Sequence, residues 1–296
     1  MPSSPDRSNL SSLNEEAVVF SCADQRLVGI LHHAEAASKV GILIVTGGPQ
    51  YRIGSHRQFL LLARSFAAAG VPTFRFDHRG TGDSEGAFLG FERIGDDIAA
   101  AATTFLERSK GLERVVLWGI CDAASAILLN AGHDPRIAGL LLVNPWVREA
   151  EGEARALVKY YYGQRLLDPV FWRKLFSGEV VVVKAVRGLG SGIARWLRSA
   201  ASARAQQPQA AALPLPSRMA LGFTAFRGPI GLILSGRDLT AREFEDAAAN
   251  SSWRGLLAEQ RVSRHSLPTA DHTFSRRVWR EEVVRRTLSW LQTIEP

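Results

Sequence analysis

The sequence predicts an α/β protein: a mostly parallel, eight-stranded-type sheet, helices on both faces, and a helical cap inserted late in the chain. Three observations predict it. Apolar, β-branched runs alternate with segments whose apolar residues recur at helical spacing. The runs are near-continuously apolar, as strands covered on both faces are. The interval between "LLLVNPW" and "GPIGLIL" is far too long for a simple connection.

Residues 1–16, "MPSSPDRSNLSSLNEE", are polar with no apolar h-region, and read as a flexible N-terminal tail. "EAVVFSC" and "LVGILHH" read as an opening hairpin. "VGILIVTGG", "TFRFDH", "RVVLWGI", "IAGLLLV" and "IGLILSG" follow as buried strands, and "QRVSRHSL" as a further one. Between them, "HRQFLLLARSFAAAG", "FERIGDDIAAAATTFLERS" and "DAASAILLNAG" carry helical periodicity, and "FSRRVWREEVVRRTLSWLQ" supplies the last helix. Gly70, Gly111 and Gly132 stand just past helix ends, where glycine closes a C-terminus. The core is therefore expected over 17–146 and 227–296, with right-handed crossovers. The cap is expected over 147–226, where helical segments join the low-complexity stretch "ASARAQQPQAAALPLPS".

At 296 residues and 46% hydrophobic, the chain can bury a full core. Two cysteines, Cys22 and Cys121, make no disulfide framework, so a reducing compartment is expected. No apolar run reaches membrane-spanning length. Together these point to a soluble, cytoplasmic protein without an integral membrane segment. The net charge of +7 sits in one place: Val147 to Phe226 holds twelve Lys or Arg against five Asp or Glu. No nucleic-acid motif accompanies this excess, so it reads as a solvated basic surface and not as a nucleic-acid partner site.

The chemistry-bearing segment is "VVLWGICDAAS", Val115 to Ser125. A strand ends at Gly119-Ile120, reaches Cys121, and breaks into small helix formers. A sharp strand-to-helix turn throws its central side chain out above the sheet and tolerates only small residues two positions before and after. Gly119 and Ala123 meet that demand. The helix N-terminus favours thiolate, which Asp122 partly opposes. By itself the pentapeptide leaves Cys121 open between a buried core thiol and a nucleophile.

Partners in the right order decide it. Asp238, in "LILSGRDLT", lies just past a strand, and His272, in "PTADHTFS", lies in a loop before the last helix. The order nucleophile, acid, histidine lets His272 take the thiol proton while Asp238 holds its tautomer. Among the other histidines, His32, His33, His78 and His133 read as structural or solvated. His56 starts a helix near the site. His265 is the rival base, though it falls within a strand. The glycine pair of "IVTGGPQYRIGSHRQF" lets backbone N–H groups approach a developing oxyanion. The donors assigned are the N–H groups of Asp122 and Gly48, with Gln50 as an alternative, since Pro49 has none. The turns "FDHRGTGDSEG" and "GLGSGI" both fail the dinucleotide pattern, having Glu85 and Ile193 where the third glycine belongs. No P-loop and no metal-binding Cys/His spacing occur, so neither cofactor nor metal is expected.

With these elements in order, the sequence resembles the α/β-hydrolase superfamily over nearly its whole length after the tail. Asp77, Arg79, Gly80, Gly82 and Ser84 match that superfamily's D-x-R-G-x-G-x-S turn, whose role there is mainly structural. More narrowly, "TGGPQYRIGSHRQF", "FRFDHRGTGDSEG" and "GICDAASA" together resemble the exosortase-A-system-associated hydrolases of the first type, which are encoded with bacterial exopolysaccharide and protein-sorting systems. Two departures stand out: the nucleophile is Cys121 rather than serine, and Thr46 stands where histidine often opens the oxyanion loop. Cysteine at this turn is also seen in dienelactone hydrolases and polyhydroxyalkanoate synthases, so the resemblance implies acyl chemistry.

The expected function is hydrolysis of an ester or thioester through a Cys121-His272-Asp238 triad, with a small-molecule acyl substrate and a monomeric or homodimeric state. Gln50, His56, Tyr161 and Trp172 are the candidate substrate-binding residues, although the cap aromatics also suit packing onto the core. An acyltransferase with the same triad and a catalytically silent binding protein on a hydrolase fold are the alternatives.

Overall fold

The structure is a computed structural model and describes residues 14–35, 38–48, 50–132, 134–148 and 213–294. Its eight strands are β1 (Glu15–Cys22), β2 (Gln25–His32), β3 (Val40–Val45), β4 (Thr73–Asp77), β5 (Arg114–Ile120), β6 (Ile137–Val143), β7 (Ile230–Ser235) and β8 (Val262–Leu267). They form one sheet in the order β1-β2-β4-β3-β5-β6-β7-β8. β1 and β2 pair antiparallel, β2 pairs antiparallel with β4, and every later pairing is parallel. The sequence expectation of a mostly parallel eight-stranded sheet is met.

The helices among the described residues are α1 (Gln58–Ala68), α2 (Gly95–Arg108), α3 (Asp122–Asn130), α4 (Leu215–Ala225), α5 (Leu239–Ala248) and α6 (Arg277–Leu291). Strand alternation sorts them onto two faces. Ile42 and Ile44 of β3, with Val116 and Trp118 of β5, pack against Phe59, Leu62 and Phe66 of α1 and Val283 and Trp290 of α6. On the other face a Cβ at Gly41 would stand 2.6 Å from Phe105 of α2, and one at Gly119 2.6 Å from Ile127 of α3. β3, β4, β6 and β7 are buried along their whole length, which is why they read as continuous apolar runs. The three glycines expected past helix ends all adopt positive φ.

The chain divides into two compact units, 1–147 with 216–296, and 148–215. The second unit ends at Leu215, where the sequence expectation places the end of an insert at 226. α4 belongs almost entirely to the first unit: its Phe223 stacks edge-on with Trp253 at 5.4 Å, and the Trp253 indole N–H donates to the Pro216 carbonyl at 2.9 Å. An amphipathic helix directly after a low-complexity linker carries no mark of which unit its apolar side joins. Tyr161 and Trp172, placed in the insert, lie outside the described residues, as do Pro49 and His133. Among the described residues no helix is long and apolar enough to cross a membrane.

Candidate active site

β5 is bonded to β3 on one side and β6 on the other, and its last residue delivers the chain to Cys121. Cys121 has φ 61° and ψ −128°, a conformation sparsely populated for any residue with a side chain. The surroundings hold it there. Its N–H donates to the Val143 carbonyl at 2.9 Å, and its carbonyl accepts from Ala124 at 3.1 Å and Trp146 at 3.2 Å. The crowding argument from sequence has a direct counterpart: a Cβ on Gly119 would meet the Ala123 carbonyl carbon at 2.9 Å and the Ala124 nitrogen at 3.0 Å. The thiol is partly exposed, whereas Cys22 is buried.

Asp238 follows β7 and is 6% exposed. It caps α5, with Oδ1 accepting from Thr240 N–H at 3.1 Å and Oδ2 from Ala241 N–H at 3.3 Å. The same Oδ2 lies 2.7 Å from His272 Nδ1. His272 follows β8 and lies beside the Cys121 side chain. Burial acts to depress the imidazole, but the Asp238 hydrogen bond, then the neighbouring Cys121 and the Asp238 charge, outweigh it and lift His272 to about 10. The three residues that sequence order selected are brought together.

The glycine-pair loop, from which an oxyanion donor is expected, follows β3. Gly48 adopts φ 46°, and the N–H groups of Gly48, Asp122 and Ala123 lie around the Asp122 carboxylate, whose Oδ1 accepts from Ala123 at 3.1 Å. Burial raises Asp122 above the ordinary carboxylate range, against these three amides and the His272 charge. Gln50 closes the loop through its N–H to the Gly47 carbonyl at 3.2 Å, and its side-chain Oε1 is buried without a partner. Thr46 is fully buried, with its hydroxyl donating to the Phe76 carbonyl. His56 is exposed on the turn before α1, in a left-handed conformation.

His265, the rival base, lies in β8 with Nδ1 facing Arg286 of α6 at 3.4 Å; burial, then the Arg286 and Arg285 charges, lower it. The structure aligns it with arginines, not with the thiol. His32 is buried against Arg75, and burial drives it down to about 4.

Two residues that sequence reasoning did not select shape the site. His78, expected to be structural or solvated, is fully buried, stacks on Phe88, and places Nε2 3.1 Å from the Gly48 carbonyl. Burial lowers it, so the neutral ring can donate to only one of the two carbonyls it faces, Gly48 or Arg79. Asn144, just past β6 at φ 44°, donates through Nδ2 to Ser235 Oγ at 2.9 Å and to the His272 carbonyl at 3.1 Å, and its Oδ1 accepts the Ser235 N–H at 2.8 Å. Its only sequence signal is an asparagine straight after a buried strand. In the Asp77 turn, Oδ1 accepts the Arg52 N–H at 2.6 Å and Oδ2 the Asp83 N–H at 3.1 Å, a structural role as the resemblance implied. Among the described residues, no group of three or more His, Cys, Asp or Glu could hold a metal ion.

Known proteins bear on this arrangement. A family model described as serine aminopeptidase, S33, matches residues 42–185, a span that includes the Cys121 turn. No curated protein matches the sequence. Among solved structures, the esterase Pf2001 of Pyrococcus furiosus superposes with a TM-score of 0.65 at 15% identity, over 99% of this chain and 98% of that one. The alpha/beta hydrolase GrgF from Penicillium sp. sh18 gives 0.62 at 16% identity, over 95% and 99%. Est1E from Butyrivibrio proteoclasticus, solved with ferulic acid bound, gives 0.56 at 14%, over 93% and 100%. These likenesses, with the sheet order, establish the α/β-hydrolase fold. The family is named for serine, whereas the residue at this turn is Cys121.

Proposed function

We propose that this α/β-hydrolase-fold protein hydrolyses an ester or thioester by acyl transfer through Cys121, with His272 as proton carrier and Asp238 as its orienting carboxylate. The observation that carries the reading is the His272–Asp238 pair at 2.7 Å, set beside Cys121 on its φ 61° turn at the end of β5.

His272 beside the sulfur is placed to take the thiol proton as the sulfur attacks. The sulfur bonds to the carbonyl carbon while the C=O electron pair moves onto oxygen, which the Gly48 and Asp122 N–H groups receive. The intermediate collapses, the bond to the alkoxide or thiolate breaks, and the leaving group takes the His272 proton. Water then attacks the acyl-cysteine as His272 takes one of its protons. The carbon–sulfur bond breaks, releasing the acid and restoring the thiolate. The esterases among the structural neighbours favour ester chemistry. The likeness of "TGGPQYRIGSHRQF" and "GICDAASA" to the exosortase-A-system-associated hydrolases supports a substrate drawn from bacterial exopolysaccharide systems.

The test is a panel of aryl esters and acyl thioesters with wild type and Cys121→Ala, alongside iodoacetamide labelling. Burial and contact with Asp97 push the Cys22 thiol up to about 11, so Cys121 should label at least about tenfold faster. An acyl adduct on the Cys121 peptide, and its absence in the alanine variant, is the expected result. Equal turnover by both proteins would sink the mechanism. Product analysis with an added alcohol or amine separates hydrolysis from transfer to an acceptor.

A further inference from the structure

The Asp122 side chain folds back over the turn it starts. Its Oδ1 accepts the Ala123 N–H at 3.1 Å, and the carboxylate lies against the Gly47–Gly48 backbone. The neighbouring loop is shaped to admit it. A Cβ on Gly47 would stand 1.8 Å from Asp122 Oδ1 and 2.8 Å from the Ala123 nitrogen, and one on Gly48 would stand 3.0 Å from Oδ2. Any side chain at position 47 would drive the carboxylate out.

The Gly48 and Asp122 N–H groups are the two donors that the proposed function assigns to the oxyanion. The chain itself sets an anion against them, the Asp122 carboxylate. We infer that Asp122 determines which acyl substrates react, because its carboxylate fills the oxyanion hole and must be displaced before an acyl oxygen can enter. The inference rests on the reading of Cys121 as nucleophile and of these amides as its oxyanion donors.

Competition sets the consequence. A ground-state carbonyl oxygen is neutral and a weaker acceptor than a carboxylate, so it does not displace Asp122 unaided. Contacts on the rest of the substrate must supply the difference, as remote binding energy does in other enzymes. A small activated ester lacks such contacts and is a poor substrate for the wild type, however reactive the sulfur. Burial already disfavours the Asp122 charge where it sits, which keeps the carboxylate displaceable.

The experiment compares wild type, Asp122→Ala and Asp122→Asn with two reagents, followed by mass on the Cys121 peptide. p-Nitrophenyl acetate acylates the sulfur: the carbon–sulfur bond forms, the carbon–oxygen bond breaks, and nitrophenolate leaves with the electron pair. This route passes through an oxyanion. Iodoacetamide alkylates the sulfur by displacing iodide and reads nucleophilicity alone. Asp122→Ala should raise the ratio of acylation to alkylation rates at least tenfold at neutral pH. Asp122→Asn keeps the shape with a weaker acceptor and should raise it by a smaller factor, which answers the question if the alanine variant does not fold. An unchanged or lower ratio in the folded variants, with Cys121 still alkylating faster than Cys22, overturns this inference and leaves the nucleophile reading standing. A Cys121 that alkylates no faster than Cys22 in all three proteins overturns both.

Discussion

Replacing Asp238 with asparagine separates two jobs that one carboxylate performs. Asp238 caps α5 through Thr240 and Ala241 and accepts from His272 Nδ1 at 2.7 Å. Asparagine caps a helix about as well as aspartate, so folding should lose less than about 1 kcal/mol. The imidazole fares differently. Burial pulls His272 down, and the Asp238 hydrogen bond is the largest of the contributions that lift it to about 10. Without that charge its value falls toward the ordinary 6.5, and an amide nitrogen turned toward the ring selects the wrong tautomer. Orienting carboxylates of this kind are worth roughly 10²–10⁴ in rate. At 1.36 kcal/mol per tenfold, that is about 3–5 kcal/mol of transition-state stabilisation. The assay is kcat/KM for an acyl thioester across the pH range, with thermal unfolding of the same samples. Because the folded-state value is raised, the stability that His272 contributes is complete below about 6.5 and drains away as pH climbs through about 10. The wild-type Tm should decline across that window, and Asp238→Asn should flatten the decline. A folded Asp238→Asn protein that keeps kcat/KM within about threefold of wild type would refute the reasoning.

Two further substitutions probe the supports. Gly119→Ala places a Cβ 2.6 Å from Ile127 Cδ1 and 2.9 Å from the Ala123 carbonyl carbon, so α3 must shift or Cys121 must leave its turn; a loss of about 1–3 kcal/mol in denaturant unfolding, with a larger fall in Cys121 acylation, is expected. Asn144→Ala removes the bonds to Ser235 and His272 at a residue with φ 44°, and should lower stability by about 2–4 kcal/mol and slow turnover; unchanged unfolding would show that these bonds carry nothing.

The legible parts of the sequence were those where local chemistry leaves one option. β5 and β6 fall where "RVVLWGI" and "IAGLLLV" stand, because a strand buried on both faces must be apolar throughout. Cys121 was legible through Gly119 and Ala123, since only small residues fit around so tight a turn. His78 was not: the loop sequence gives no sign that the ring would be buried beneath Gly48, a contact made by two segments thirty residues apart. The Asp122 carboxylate was expected beside the sulfur as an opposing charge. Its place against Gly47 and Gly48 depends on a close backbone approach that no spacing rule encodes.

Cys121 stands at the end of β5 and His272 follows β8, with β6 and β7 between them. At the usual spacing of neighbouring strands, the histidine loop must span about 14 Å. Each intervening strand provides a pier: Asn144 after β6 grips the His272 carbonyl, and Ser235 ending β7 donates to the Asp271 carbonyl. The loop is thus a bridge of fixed length seated at two points. One residue added or removed between Leu267 and Asp271 would shift every seat and carry the imidazole away from the sulfur, while leaving the sheet beneath it intact.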